Sequence, residues 1–245
     1  MISVNKDHFI RYRNNKKRDL TYILGATCKD GIILVSDSQI LRDNNEEKGD
    51  KIFQAMPNAV IGAAGITGVF LKFLKQVAEH VESKQIKSLD ELINVVEDLS
   101  LHLNERYKDR VHGDSLEILM AIKNSQNTAE LYHVTSTGIS EEITTFLAIG
   151  HGEPYGSLFL KTAWHSGKTM RETAVLAKTI IYTIFMQGMD KSVDSVAQIW
   201  YIPFDGDIHM ASEEDSEKIR IEAIESYEKL TSFLNGFISK QKQTK

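Results

Sequence analysis

Cysteine and proline are scarce in this chain: one Cys (Cys28) and three Pro (Pro57, Pro154, Pro203) among 245 residues. A single thiol excludes a disulfide scaffold and fits a reducing, cytoplasmic compartment. No stretch of about 18 apolar residues occurs, so no transmembrane helix is expected. Positive charge is not in excess either. The 29 Lys and Arg stand against 34 Asp and Glu, a formal net charge of −5. Nothing in that balance draws the whole molecule to nucleic acid or to a membrane surface. The eight histidines show no HExxH or other paired ligand spacing, which argues against a metal site. Internal repeats, low-complexity tracts and linkers are also missing, so nothing divides the chain into several domains.

What is present is ordinary globular composition, 42% hydrophobic and 26% charged. Residues 1–20 differ from the rest. Lys6, Arg11, Arg13, Lys16, Lys17 and Arg18 outweigh Asp7 and Asp19, and no apolar signal-peptide core accompanies them. We read this segment as a flexible or removable extension, a propeptide, rather than a basic arm for nucleic acid. Residues 21–245 then form one domain.

The most informative stretch begins at Thr21. Two apolar-rich segments, Thr21–Cys28 and Ile32–Ser38, flank Asp30-Gly31, the strongest short-range signal for a β-hairpin. A Thr opens the first strand, and Asp37 lies near the end of the second. Pairing in a suitable register brings those ends within reach. A threonine hydroxyl with its own α-amine as base is a known catalytic device, although a strand Thr chosen for β-propensity looks the same locally.

Further on, a polar loop is expected over Leu41–Asp50 and strands over Lys51–Gln54 and Ala59–Ala64. The period then changes. Phe70, Leu71, Leu74, Val77, Ala78 and Val81 recur at helical spacing over about 68–83. A second helix is expected over about 88–107, with Ser88 and Glu91 as a capping box. Strands return at Ser115–Lys123, Thr128–Val134 and Thr144–Ile149. Helices follow near 154–165 and 169–188, then strands at 195–203 and 208–211. Ser212 caps a final helix over about 213–239. Segregated blocks of strands and helices predict α+β layering. Two antiparallel sheets face to face, flanked by helix pairs in a four-layer αββα sandwich, would bury every apolar stripe.

These segments together resemble the proteasome β-type subunits and the bacterial HslV peptidase, threonine peptidases of the N-terminal-nucleophile hydrolase fold. The resemblance rests on Thr21–Ser38, on Gly49-Asp50-Lys51-Ile52-Phe53-Gln54 and on Ile61-Gly62-Ala63-Ala64-Gly65. It continues through Ala148-Ile149-Gly150-His151-Gly152-Glu153-Pro154-Tyr155 and Gln198-Ile199-Trp200-Tyr201-Ile202, and so spans residues 21–211. It implies Thr21 as nucleophile, Lys51 and Asp37 as a charge pair beside it, Asp190 in support and the N–H of Gly65 facing an oxyanion. Ile40, Ala63 and Thr67 would line a substrate pocket. Spacing alone leaves Lys51 a surface residue and Asp37 a strand end with no contact between them.

Three positions depart from the family pattern. Leu20 precedes Thr21 where self-processing subunits carry Gly. His151 stands where the turn has Ser, and is either a substitute partner or a turn filler. Val193 falls where a second supporting Ser is expected, with Ser192 adjacent. The gap from Thr21 to Lys51 is also slightly short, the difference falling in the polar loop. The implied activity is cleavage of unfolded polypeptide within a ring or stacked rings of self or related subunits. No cofactor is needed, and an ATP-dependent unfoldase is a candidate partner. A non-catalytic ring subunit, or an amidohydrolase of the same architecture, fits the same pattern.

Overall fold

Asp30-Gly31 does close a hairpin. It joins β1 (Ile23–Cys28) to β2 (Gly31–Asp37), antiparallel, with Ile23 opposite Ser36 and Cys28 opposite Gly31. The computed structural model describes residues 22–42, 45–83, 86–111, 115–124, 126, 128–189, 193 and 195–243.

The segment expected as a loop after Ser38 contains a second, short hairpin of β3 (Gln39–Arg42) and β4 (Asn45–Lys48). It is held by main-chain pairing, which its polar, charged sequence does not advertise. Next come β5 (Ile52–Met56) and β6 (Ala59–Ala64), then α1 (Thr67–Glu82) and α2 (Leu89–Val111). The capping box expected at the start of α2 is present. The Glu91 N–H donates to Ser88 Oγ and the Ser88 N–H to Glu91 Oε2, both at 3.2 Å. The helix runs about a turn past its expected end.

The strands β7 (Glu117–Lys123), β8 (Ala129–Val134), β9 (Ser140–Glu142) and β10 (Phe146–Ile149) follow. Three residues long and acidic, β9 has no hydrophobic signature; its brevity and charge suit an edge strand. The helices α3 (Glu153–Ala163) and α4 (Met170–Met186), the strands β11 (Ala197–Pro203) and β12 (His209–Met210), and α5 (Glu213–Gln243) complete the chain. Thr169 and Glu172 form a capping box on α4 that the sequence reading passed over.

One sheet has the order β10-β1-β2-β11-β12 and the other β5-β6-β7-β8-β9. Ile23, Leu34, Ile202, Ile52, Val60, Leu119 and Leu131 fill the space between them. The outer face of the first sheet packs through Leu24, Val35 and Ile199 on Ala177, Ile181 and Ile184 of α4, and Ile219 of α5 joins that layer. The outer face of the second packs through Ile61 and Met120 on Phe73 and Val77 of α1 and Leu92 and Val96 of α2. The four-layer αββα sandwich is therefore the observed architecture, with α5 added beside α4. No helix of the described residues is long and apolar enough to cross a membrane.

Cys28 is a buried hydrophobe, 3% exposed, its Sγ 3.3 Å from Thr173 Oγ1. Burial pushes its thiol up to about 11. A disulfide reagent at about pH 8 is therefore expected to label native protein about 100-fold more slowly than urea-unfolded protein. Equal rates would show that the β1–α4 contact opens readily.

Candidate active site

Asp37 ends β2, a central strand covered on both edges by β1 and β11, and is fully buried. A carboxylate there needs partners for both oxygens. Oδ2 lies 2.7 Å from Nζ of Lys51, itself 3% exposed just ahead of β5. Oδ1 accepts the backbone N–H of Tyr22 at 2.8 Å, and the N–H of Asp37 donates back to the Tyr22 carbonyl at 3.2 Å. The carboxylate thus joins an ammonium from one sheet to the first rung of the hairpin in the other.

The Tyr22 ring packs against the turn that leads into α3. Gly150 has φ 89°, and its carbonyl accepts the N–H of Glu153 at 2.9 Å. A Cβ on Gly152 would lie 2.9 Å from Tyr22 Cδ2, and one on Gly156 only 2.3 Å from Tyr22 Oη. Only glycine lets the turn and the ring approach this closely. The phenol is fully buried and has no hydrogen-bond partner among the described residues. Burial, with Glu153 nearby, pushes its pKa well above the usual phenol range. His151, in the same turn, is exposed.

On the other side of Lys51, its carbonyl accepts the N–H of Ala63 on β6 at 3.2 Å. Gly65 follows that strand with φ 141°, a conformation that suits glycine. Gln198 on β11 completes the surroundings. Its side-chain amide bonds the main chain of Lys51 and Ile52 across the gap between the sheets.

A family model for proteasome subunits matches residues 21–199. The chain belongs to the proteasome subunit family. A "Proteasome subunit beta" from Nanoarchaeum equitans (strain Kin4-M) is 22% identical over 190 residues, covering 70% of this chain and 96% of that protein. Among solved structures, Anbu (ancestral beta-subunit) from Yersinia bercovieri matches with a TM-score of 0.72 and 15% identity, over 88% of this chain and 97% of that one. The Anbu (Gly-1) mutant from Hyphomicrobium sp. strain MC1 gives 0.68 and 18%, over 88% and 96%. These two likenesses, both under 25% identical, show the fold, and they cover a larger share of the chain than the family model does.

Of the residues that the proteasome resemblance singles out, Asp37 and Lys51 are in direct contact, Ala63 bonds Lys51 from β6, and Gly65 follows the end of that strand. Ala63 and Thr67 are buried, 2% and 8% exposed. Ile40 stands on β3 opposite Glu47, its side chain outside the described residues. Thr21, Asp190 and Ser192 also lie outside them. Val193 is buried in the core under the first sheet. Lys178, buried on α4, donates to the carbonyl of Ser195 and so ties down the chain entering β11. Sequence reasoning missed Tyr22 and Gln198. A lone amide in an otherwise apolar strand was the available signal for Gln198; Tyr22 offered none, since a strand Tyr is ordinary.

Proposed function

We propose that this proteasome subunit is a β-type threonine endopeptidase that cleaves unfolded polypeptides inside a cytoplasmic ring of itself or related subunits. One observation carries the reading. The Asp37 carboxylate holds the Lys51 ammonium on one oxygen and the Tyr22 amide on the other. Chain connectivity puts residue 21 one peptide unit from Tyr22, ~3.8 Å between Cα atoms.

Removal of residues 1–20 would free the α-amine of Thr21, which ordinarily titrates near pH 8. A neighbouring ammonium lowers that value by like-charge repulsion, so more of the amine is neutral at working pH. The amine takes the hydroxyl proton as Oγ1 attacks the peptide carbonyl. The Gly65 N–H faces the oxyanion. Collapse expels the leaving amine, which takes the proton, and leaves an ester on Thr21. Water then hydrolyses the ester with the same amine as base. In this reading Asp190, Ser192 and His151 take supporting roles, Ile40, Ala63 and Thr67 line the substrate pocket, and an ATP-dependent unfoldase supplies substrate.

The burial of Val193 favours a second reading. An apolar side chain fills the place of a supporting Ser, as a non-catalytic ring subunit would tolerate. Intact-mass spectrometry and fluorogenic-peptide cleavage separate the two. We expect a mature chain beginning at Thr21, and a loss of at least ~1000-fold in cleavage for Thr21→Ala. A chain that keeps residues 1–20 and cleaves nothing after assembly would establish the structural subunit instead.

A further inference from the structure

We propose that Gln198 is a positioning residue that fixes Lys51 against Asp37 by clamping the Lys51 main chain from the opposite sheet. The role rests on the peptidase reading above and adds a residue to it.

The strand β5 is an edge of its sheet. Among the described residues no strand neighbours its outer N–H and C=O groups, a situation that proteins must cover or solvate. Gln198 covers it. Oε1 accepts the N–H groups of Lys51 at 3.1 Å and Ile52 at 3.0 Å, and Nε2 donates to the Ile52 carbonyl at 2.7 Å. A primary amide has one carbonyl with two lone pairs and two N–H donors. At Ile52 it therefore reproduces the paired exchange that an adjacent strand would make. Two N–H groups converging on one atom also fix which end of the amide is oxygen.

On its inner side, the Lys51 carbonyl is held by Ala63 of β6. The main chain of Lys51 is thus gripped from both flanks. The register of β11 gives the grip its meaning. Gln198 pairs with Ser36 and Ala197 with Asp37 in the β2–β11 ladder. The amide that holds the Lys51 backbone and the carboxylate that holds its ammonium therefore come from neighbouring rungs. The separation between clamp and counter-ion is set by strand geometry, and the lysine side chain spans it. Without the amide, the start of β5 keeps only its inner pairing to β6, and Nζ can shift from its place against Asp37. A displacement of about 1 Å at a catalytic group can cost ~100-fold in rate.

The test uses the assembled, N-terminally processed protein. Gln198→Leu is expected to lower kcat by ~10–100-fold with little change in KM. The acid limb of the kcat profile should move to higher pH, because an amine farther from the ammonium binds its proton more tightly. Hydrogen exchange should quicken at residues 51 and 52. Gln198→Glu keeps the acceptor for the two N–H groups but loses the donor and sets an oxygen against the Ile52 carbonyl, so it should recover only part of kcat and of the protection. An active wild type whose Leu variant keeps its kcat and pH limb overturns the proposal. So does a loss shared equally by kcat and KM with an unmoved limb, the sign of general weakening. Should Gln198→Leu fail to assemble, Gln198→Asn, one methylene short of β5, carries the same expectations. A processed wild type that cleaves nothing overturns the peptidase reading itself and this role with it, an outcome distinct from an active enzyme indifferent to residue 198.

Discussion

Lys51→Met is expected to destabilise the fold by about 3–5 kcal/mol, because it takes from the buried Asp37 carboxylate the ammonium that lies 2.7 Å from its Oδ2. That is a large part of the stability of an ordinary domain, about 5–15 kcal/mol. Asp37 is fully buried and Lys51 is 3% exposed, so solvent does little to screen the pair. The Tyr22 N–H, a neutral amide 2.8 Å from Oδ1, also binds Asp37. It helps the charge but does not cancel it.

Asp37→Asn combined with Lys51→Met should restore most of the loss. Asn keeps an acceptor for Tyr22, and a neutral, well-filled site is commonly as stable as a buried ion pair. The double variant should nevertheless cleave no peptide, since the ammonium is gone. Urea midpoints and peptide hydrolysis on the two proteins separate the contribution to folding from the contribution to chemistry. A single variant within about 1 kcal/mol of wild type would mean that water reaches Asp37.

The Tyr22 slot carries the second large effect. Tyr22→Ala removes a fully buried ring and should cost about 3–5 kcal/mol through lost packing and the cavity left behind. Tyr22→Phe should be neutral, or stabilising by up to about 1 kcal/mol, because the hydroxyl has no hydrogen-bond partner among the described residues. Gly156→Ala meets the ring from the other side. Its Cβ would lie 2.3 Å from Oη, 2.4 Å from Cε2 and 2.6 Å from Cζ. Overpacking of this kind costs about 1–3 kcal/mol or more. Deleting the hydroxyl removes only one of the three close contacts, so Gly156→Ala should remain costly when combined with Tyr22→Phe. Thermal unfolding of the three single variants and this double variant measures each difference. A Tyr22→Phe protein less stable than wild type by over 1 kcal/mol would reveal a partner for the hydroxyl.

The sequence was most legible where a local rule acts alone. Asp30-Gly31 dictated the first hairpin, the stripe from Phe70 to Val81 dictated α1, and Ser88 with Glu91 dictated the start of α2. The charge pair was legible only through the order of several weak motifs. Lys51 and Asp37 are 14 residues apart, a spacing that by itself specifies no contact. Gln198 was not legible, because its role depends on the edge of the other sheet, 146 residues away at Ile52. The same holds for Tyr22, whose ring is recognised by glycines beyond β10. The hairpin of β3 and β4 escaped because backbone pairing, not side-chain pattern, defines it.

That small hairpin leaves from Asp37 and returns to Lys51, and the Gly49 N–H donates to the Ser38 carbonyl at 2.9 Å at its base. The excursion is cinched where it meets the body, so its length is decoupled from the spacing of the two charges. A shortened connection between Thr21 and Lys51 therefore leaves the ammonium and carboxylate in register. Past Ile40, the span from Arg42 to Lys48 is a place where lineages, or engineers, can graft new peptide and leave the machinery beneath it unchanged.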